Sequence, residues 1–108
     1  MKDDFAYIEH ILLSIKKVLD FIKDTDKTGF ENNIMLQDAV IRNIEIIGEA
    51  SKKISQNFKD QYSEIPWREM AGMRDKLVHD YLGVDIDVIW ETVTTDIPLL
   101  NNLLSNIV

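Results

Sequence analysis

Cysteine is absent from these 108 residues, and only 4 glycines and 2 prolines occur. Without cysteine there is no disulfide framework, thiolate zinc site, iron–sulfur cluster or thiol nucleophile. The scarcity of Gly and Pro argues against a turn-rich sandwich or barrel. No apolar run approaches the roughly 20 residues of a membrane span, and Met1-Lys2-Asp3-Asp4 lacks the basic-then-apolar order of a signal peptide. A cytoplasmic, reducing location without a membrane partner is the expectation.

Positive charge is also short. Twelve Lys and Arg stand against 19 Asp and Glu, a formal net charge of −7. From Leu77 to Val108 there is no Lys or Arg, while Asp80, Asp85, Asp87, Glu91 and Asp96 are all acidic. Affinity for a duplex backbone rests on many cations that release counterions. DNA is therefore not an expected partner, and any contact with RNA or a nucleotide has to be local.

What is present is helical periodicity. Apolar residues make up 45% of the chain and charged residues 29%, values that suit one globular domain spanning 1–108. Phe5, Ile8, Leu12, Ile15, Leu19 and Ile22 recur at spacings of three and four, widened by Ile11, Val18 and Phe21. They predict a first helix ending near Asp24, before a turn at Thr25–Gly29. A second helix is expected from about Asn33 to Ser55, with Leu36, Val40, Ile44, Ile47 and Ile54 inward. Gly48 inside it costs about 1 kcal/mol against Ala, which implies close approach of another backbone. Gln56–Glu64 reads as a connector with room for one helical turn.

Ile65-Pro66-Trp67 opens a third helix, with Pro at the first helical position. It runs through Met70, Met73, Leu77 and Tyr81 to a stop at Leu82-Gly83. Asp85 is the expected N-cap of a fourth helix carrying Ile86, Ile89, Val93, Ile97, Leu100, Leu104 and Ile107; Pro98 inside it requires a kink or a restart. The fold class is all-α, an antiparallel bundle of four to five helices. The third helix looks apolar on more than one side, and Ala71-Gly72 permits close helix packing, so a homodimer through it is expected.

The residues with chemical potential are Arg74, Asp75, Lys76, His79 and Tyr81. Arg74 and Tyr81 are seven apart and share a helix face. Arg74 and His79, five apart, are separated by about 140° and would flank a phosphate rather than touch. Asp75 precedes His79 by four and is placed to accept from its ring and favour its protonated form. Elsewhere the pattern is structural. His10 reads as an ordinary surface or packing residue, Glu49 with Lys53 as a helix pair, and Trp67 and Trp90 as core. Glu45 and Glu49 lack the Glu-x-x-His of a carboxylate di-metal site. Arg42, Lys52 and Lys53 extend a small basic focus if the second and third helices are neighbours. No Gly-rich phosphate loop, His-Glu-x-x-His or serine nucleophile context occurs.

Arg74-Asp75-Lys76-Leu77-Val78-His79-Asp80-Tyr81 resembles the Arg-x4-His-x-Tyr signature of the HepT-like toxins, a branch of the HEPN superfamily. The likeness extends to Ile65–Met73 before it, to Val88–Val93 and Asp96-Ile97-Pro98 after it, and to Ala39–Ala50 upstream. The resemblance implies a HEPN-like homodimer whose two motifs meet in a cleft at the interface. It implies metal-independent endoribonuclease activity, no cofactor, and a toxin paired with an MNT-type nucleotidyltransferase antitoxin. That partner transfers AMP to the motif tyrosine, here Tyr81, and silences the toxin.

The residues suit that chemistry. Histidine, whose reference pKa lies near neutrality, can at His79 take the 2′-hydroxyl proton of RNA. Arg74 can stabilise the phosphate through its planar fork of donors, with Lys76 and Arg68 in support. The alternative is a non-catalytic helical partner of a nucleotidyltransferase, which the net charge of −7 favours.

Overall fold

Four helices begin on a side chain that the sequence places where an orphan amide needs an acceptor. Asp26 accepts from the Gly29 amide at 2.8 Å, Asn33 from Leu36 at 3.0 Å, Ser55 from Phe58 at 3.2 Å and Asp85 from Val88 at 3.2 Å. The computed structural model describes residues 2–77 and 83–107. Its helices are α1 (Lys2–Ile22), α2 (Lys27–Glu31), α3 (Ile34–Lys52), α4 (Gln56–Gln61), α5 (Trp67–Ala71), α6 (Met73–Leu77), α7 (Ile86–Glu91) and α8 (Ile97–Ser105). A π-helical turn, Thr92–Asp96, joins α7 to α8. Among the described residues there is no β-strand, so the chain is an all-α bundle. None of the helices described is long and apolar enough to cross a membrane.

The rods run antiparallel. Asp4, near the start of α1, bonds to Ser55, just beyond the end of α3. Gly48 of α3 meets Ala71 of α5, while Glu45, a turn earlier, meets Arg74 of α6. α1 also packs along α8, closing the bundle around one core.

Several boundaries differ from the sequence expectations. The turn at Thr25–Gly29 contains the start of α2, whose Phe30 is fully buried and packs against Trp90, with ring centroids 5.4 Å apart and planes tilted by 42°. The connector after Ser55 holds the six-residue α4, which presents Phe58 to the core. Pro66 is the N-cap residue of α5, one place earlier than expected. The third helix breaks at Gly72 into α5 and α6, and a 3.1 Å bond from the Asp75 amide to the Gly72 carbonyl begins the second piece. On α1 the inward stripe is Ile8, Ile11, Ile15, Val18 and Ile22; Phe5 and Phe21 are exposed. The same spacing fits both stripes, and only the position of α3 and α8 selects one of them.

Pro98 lies in the first turn of α8, which restarts at Ile97 after the π-helical turn, one of the two outcomes the sequence allowed. A proline has no N–H for the carbonyl four residues back, and its ring crowds that carbonyl. The widened turn at Thr92–Asp96 lies just before it, a common way for a helix to absorb such a lesion. Thr92 and Thr94 donate their hydroxyls to the Val88 and Trp90 carbonyls at 2.8 and 2.7 Å, occupying backbone oxygens in that stretch. Gly83 has a φ of 91°, left-handed backbone suited to the helix stop read there. The Asp85 amide donates to the Leu77 carbonyl at 2.9 Å, so the chain is back beside residue 77 by residue 85.

Candidate functional site

The site follows from one missing side chain. A Cβ on Gly48 would lie 3.3 Å from the Ala71 carbonyl oxygen and 3.4 Å from that of Met70. Contact this tight with backbone explains the interior glycine and lets α3 settle directly against α5. Of the Ala71-Gly72 pair expected to serve a second subunit, Ala71 meets α3 of its own chain. Met70, Met73 and Leu77 are likewise buried within the protomer.

That approach opens a cleft of about 290 Å³, lined by Arg42, Glu45, Gly48, Glu49, Lys52, Ala71, Arg74 and Asp75. Arg74 projects from α6 with its side chain 46% exposed, and its Nε lies 3.4 Å from Glu45 Oε2. Its Nη1 lies 3.7 Å from Asp75 Oδ1. The other oxygen of Glu45, Oε1, faces Arg42 Nη1 at 3.8 Å. These are ion pairs rather than tight hydrogen bonds, in a setting where an anionic ligand can compete for the guanidinium. Three cations and three carboxylates line the cleft, so its formal charge balances in a chain of net −7.

The other expected site residues divide. Asp75 shares the cleft with Arg74. Lys76 lines a different groove, of about 210 Å³, with Pro66, Glu69, Met70, Met73, Thr92, Asp96, Leu99 and Leu100. Arg68 is exposed on α5 and lines neither. His79 and Tyr81 lie outside the described residues. Because the second and third helices are neighbours, Arg42 and Lys52 do join the cleft of Arg74; Lys53 borders an adjacent pocket with Tyr7 and His10. Glu49 pairs with Lys52 at 3.6 Å, not with Lys53, which is the C-cap residue where α3 ends. Glu45 was missed as a partner of Arg74. Its signals were the Arg42-x-x-Glu45 spacing and a glycine three residues on, but the meeting with Arg74 depends on tertiary approach.

Among the described residues no group of His, Cys, Asp and Glu converges as a metal-binding cluster. The cleft itself is lined by guanidinium, ammonium and carboxylate groups.

Comparison with known proteins adds the family. No solved structure gives a significant match. Probable ribonuclease HepT of Thermococcus cleftensis is 51% identical over 94 residues, 87% of this chain and 86% of that protein. Putative RNase TTE0752 of Caldanaerobacter subterraneus subsp. tengcongensis is 40% identical over 107 residues, 99% of this chain and 96% of its own. Gamma-glutamylcyclotransferase and putative RNase MJ0434 of Methanocaldococcus jannaschii is 48% identical over 99 residues, 92% of this chain; the match spans 45% of that longer protein. With the family model described as ribonuclease HepT-like matching residues 11–107, the chain belongs to the ribonuclease HepT-like family.

Proposed function

We propose that the chain is a metal-independent endoribonuclease and the toxin of a toxin–antitoxin pair. The observation that carries the reading is Arg74, half-exposed and anchored by Glu45 in a cleft at the head of Arg-x4-His-x-Tyr. In this reading His79 takes the proton of a ribose 2′-hydroxyl. The freed oxygen attacks the adjacent phosphorus, the P–O2′ bond forms and the P–O5′ bond breaks. Arg74 stabilises the charge that gathers on the non-bridging oxygens. The products are a 2′,3′-cyclic phosphate and a 5′-hydroxyl.

The leaving oxygen needs a proton, and in-line attack sets it on the far side of phosphorus from the 2′-oxygen, away from the histidine that serves as base. In a homodimer His79 of a second copy supplies it. The groove bearing Lys76 suits such a contact, because Leu99 on its rim is 55% exposed beside Met73 and Leu100. An MNT-type nucleotidyltransferase is the antitoxin, transferring AMP to Tyr81 and bringing a phosphate to compete for Arg74.

The test is cleavage of RNA by unmodified protein in chelator, beside His79→Ala at matched concentration. Cleavage by the first alone, leaving cyclic phosphate ends, is the expected result. If both are inactive while folded, the reading gives way to a non-catalytic partner of a nucleotidyltransferase, which the balanced charge of the cleft and the net −7 favour.

A further inference from the structure

We propose that Glu45 is a positioning residue for Arg74: its carboxylate orients the guanidinium for phosphate and sets how tightly RNA is held. The inference rests on the ribonuclease reading and adds a residue from a different helix to it.

The geometry is specific to the pairing of α3 with α5–α6. Gly48 brings the Ala71 carbonyl against α3; one turn back along α3 is Glu45, and three residues on from Ala71 is Arg74. The carboxylate is divided between two arginines, Oε2 toward Arg74 Nε at 3.4 Å and Oε1 toward Arg42 Nη1 at 3.8 Å. Its side chain is only 35% exposed, against 72% for Arg42 and 46% for Arg74, so it is the least exposed of the three. A guanidinium has five N–H donors in a planar fork. An ion pair at Nε biases the plane of that fork, with Asp75 3.7 Å from Nη1.

Glu45 has a second consequence, of opposite sign. With Asp75 it balances the charges of Arg42 and Arg74. An incoming phosphate must compete with these carboxylates, which weakens ground-state binding. Orientation and charge are thus separable. A neutral isostere keeps an oxygen acceptor for Nε but removes the competing charge, whereas alanine removes both.

The experiment compares wild type, Glu45→Gln and Glu45→Ala. Its readouts are kcat and KM on a mixed-sequence oligoribonucleotide, and Kd for the same oligonucleotide with 2′-O-methyl riboses, which cannot be cleaved by 2′-hydroxyl attack. Misplacement of a catalytic group by about 1 Å can cost on the order of a hundredfold, so Glu45→Ala is expected to lose between about tenfold and a hundredfold in kcat. Glu45→Gln should hold kcat closer to wild type while its KM and Kd fall severalfold. Unchanged kcat in Glu45→Ala overturns the proposal. So does an equal loss of kcat in both variants at constant KM and Kd with lowered melting temperature, the pattern of a structural residue. If wild type neither binds nor cleaves RNA, the ribonuclease reading falls and this inference with it. Activity in wild type with both variants indistinguishable from it removes the inference alone.

Discussion

Removing Asp4, a buried carboxylate near the start of α1, should destabilise the fold strongly. Asp4 is 2% exposed and lies in the first turn of α1. Its Oδ1 accepts from the Ser55 amide at 2.7 Å and its Oδ2 from the Ser55 hydroxyl at 2.8 Å. Ser55 in turn caps α4 through Phe58. One carboxylate therefore locks the start of α1 to the α3–α4 corner, 51 residues away in sequence.

A hydrogen bond to a charged group contributes about 1.5–3 kcal/mol, and the two here share one side chain, so Asp4→Ala should cost about 3 kcal/mol. That is a large part of the roughly 5–15 kcal/mol that holds a domain together. At 4–8 °C per kcal/mol for a domain of this size, melting should fall by more than ~10 °C. Asp4→Asn keeps an acceptor for the Ser55 amide and should lose about half as much.

The pH dependence follows. A positive amino terminus, together with the two Ser55 donors, outweighs burial and holds the Asp4 carboxyl down at about 2, against an ordinary value of 3.8. A lowered folded-state pKa means that the stabilisation is complete above the ordinary value and is lost as pH falls toward about 2. The gap in melting temperature between wild type and Asp4→Asn should therefore be constant near neutrality and narrow below pH 3.8. Circular dichroism melts of the three proteins between neutral and acid pH measure this. Equal melting of wild type and Asp4→Ala at pH 7, or a gap that widens in acid, would refute the reasoning.

Two further outcomes are expected. Gly48→Val should destabilise by about 1–3 kcal/mol, because a branched side chain cannot fit against the Ala71 and Met70 carbonyls; a stabilised Gly48→Val by thermal unfolding would show that α3 does not rest on α5. Tyr81→Phe should still cleave RNA but gain no AMP when incubated with its nucleotidyltransferase and ATP, as read by intact mass, and adduct formation on Tyr81→Phe would reject Tyr81 as the acceptor.

Helix content was legible because it is a local property. Spacings of three and four and the cap at Asp85 each act within a turn or two of chain, and both appear in the structure. Gly48 was legible for a related reason: an interior glycine is costly enough to need a neighbour. Short elements were harder. α2 and α4 have too few residues to show a period, and each is held by burying one aromatic, Phe30 or Phe58, against distant helices.

The chain by itself determined an all-α domain and the motif from Arg74 to Tyr81, because periodicity, capping and covalent order need no partner. Tertiary structure alone decided which stripe of α1 faces inward, that Asp4 holds Ser55, and that Lys76 turns away from the cleft of Arg74. It also decided that Glu45 meets Arg74 across 29 residues of sequence, since 74 − 45 = 29 and no local rule couples positions so far apart. Those outcomes depend on how closely α3 approaches α5, and that distance is set by backbone packing at Gly48, not by the identity of the charged residues it brings together.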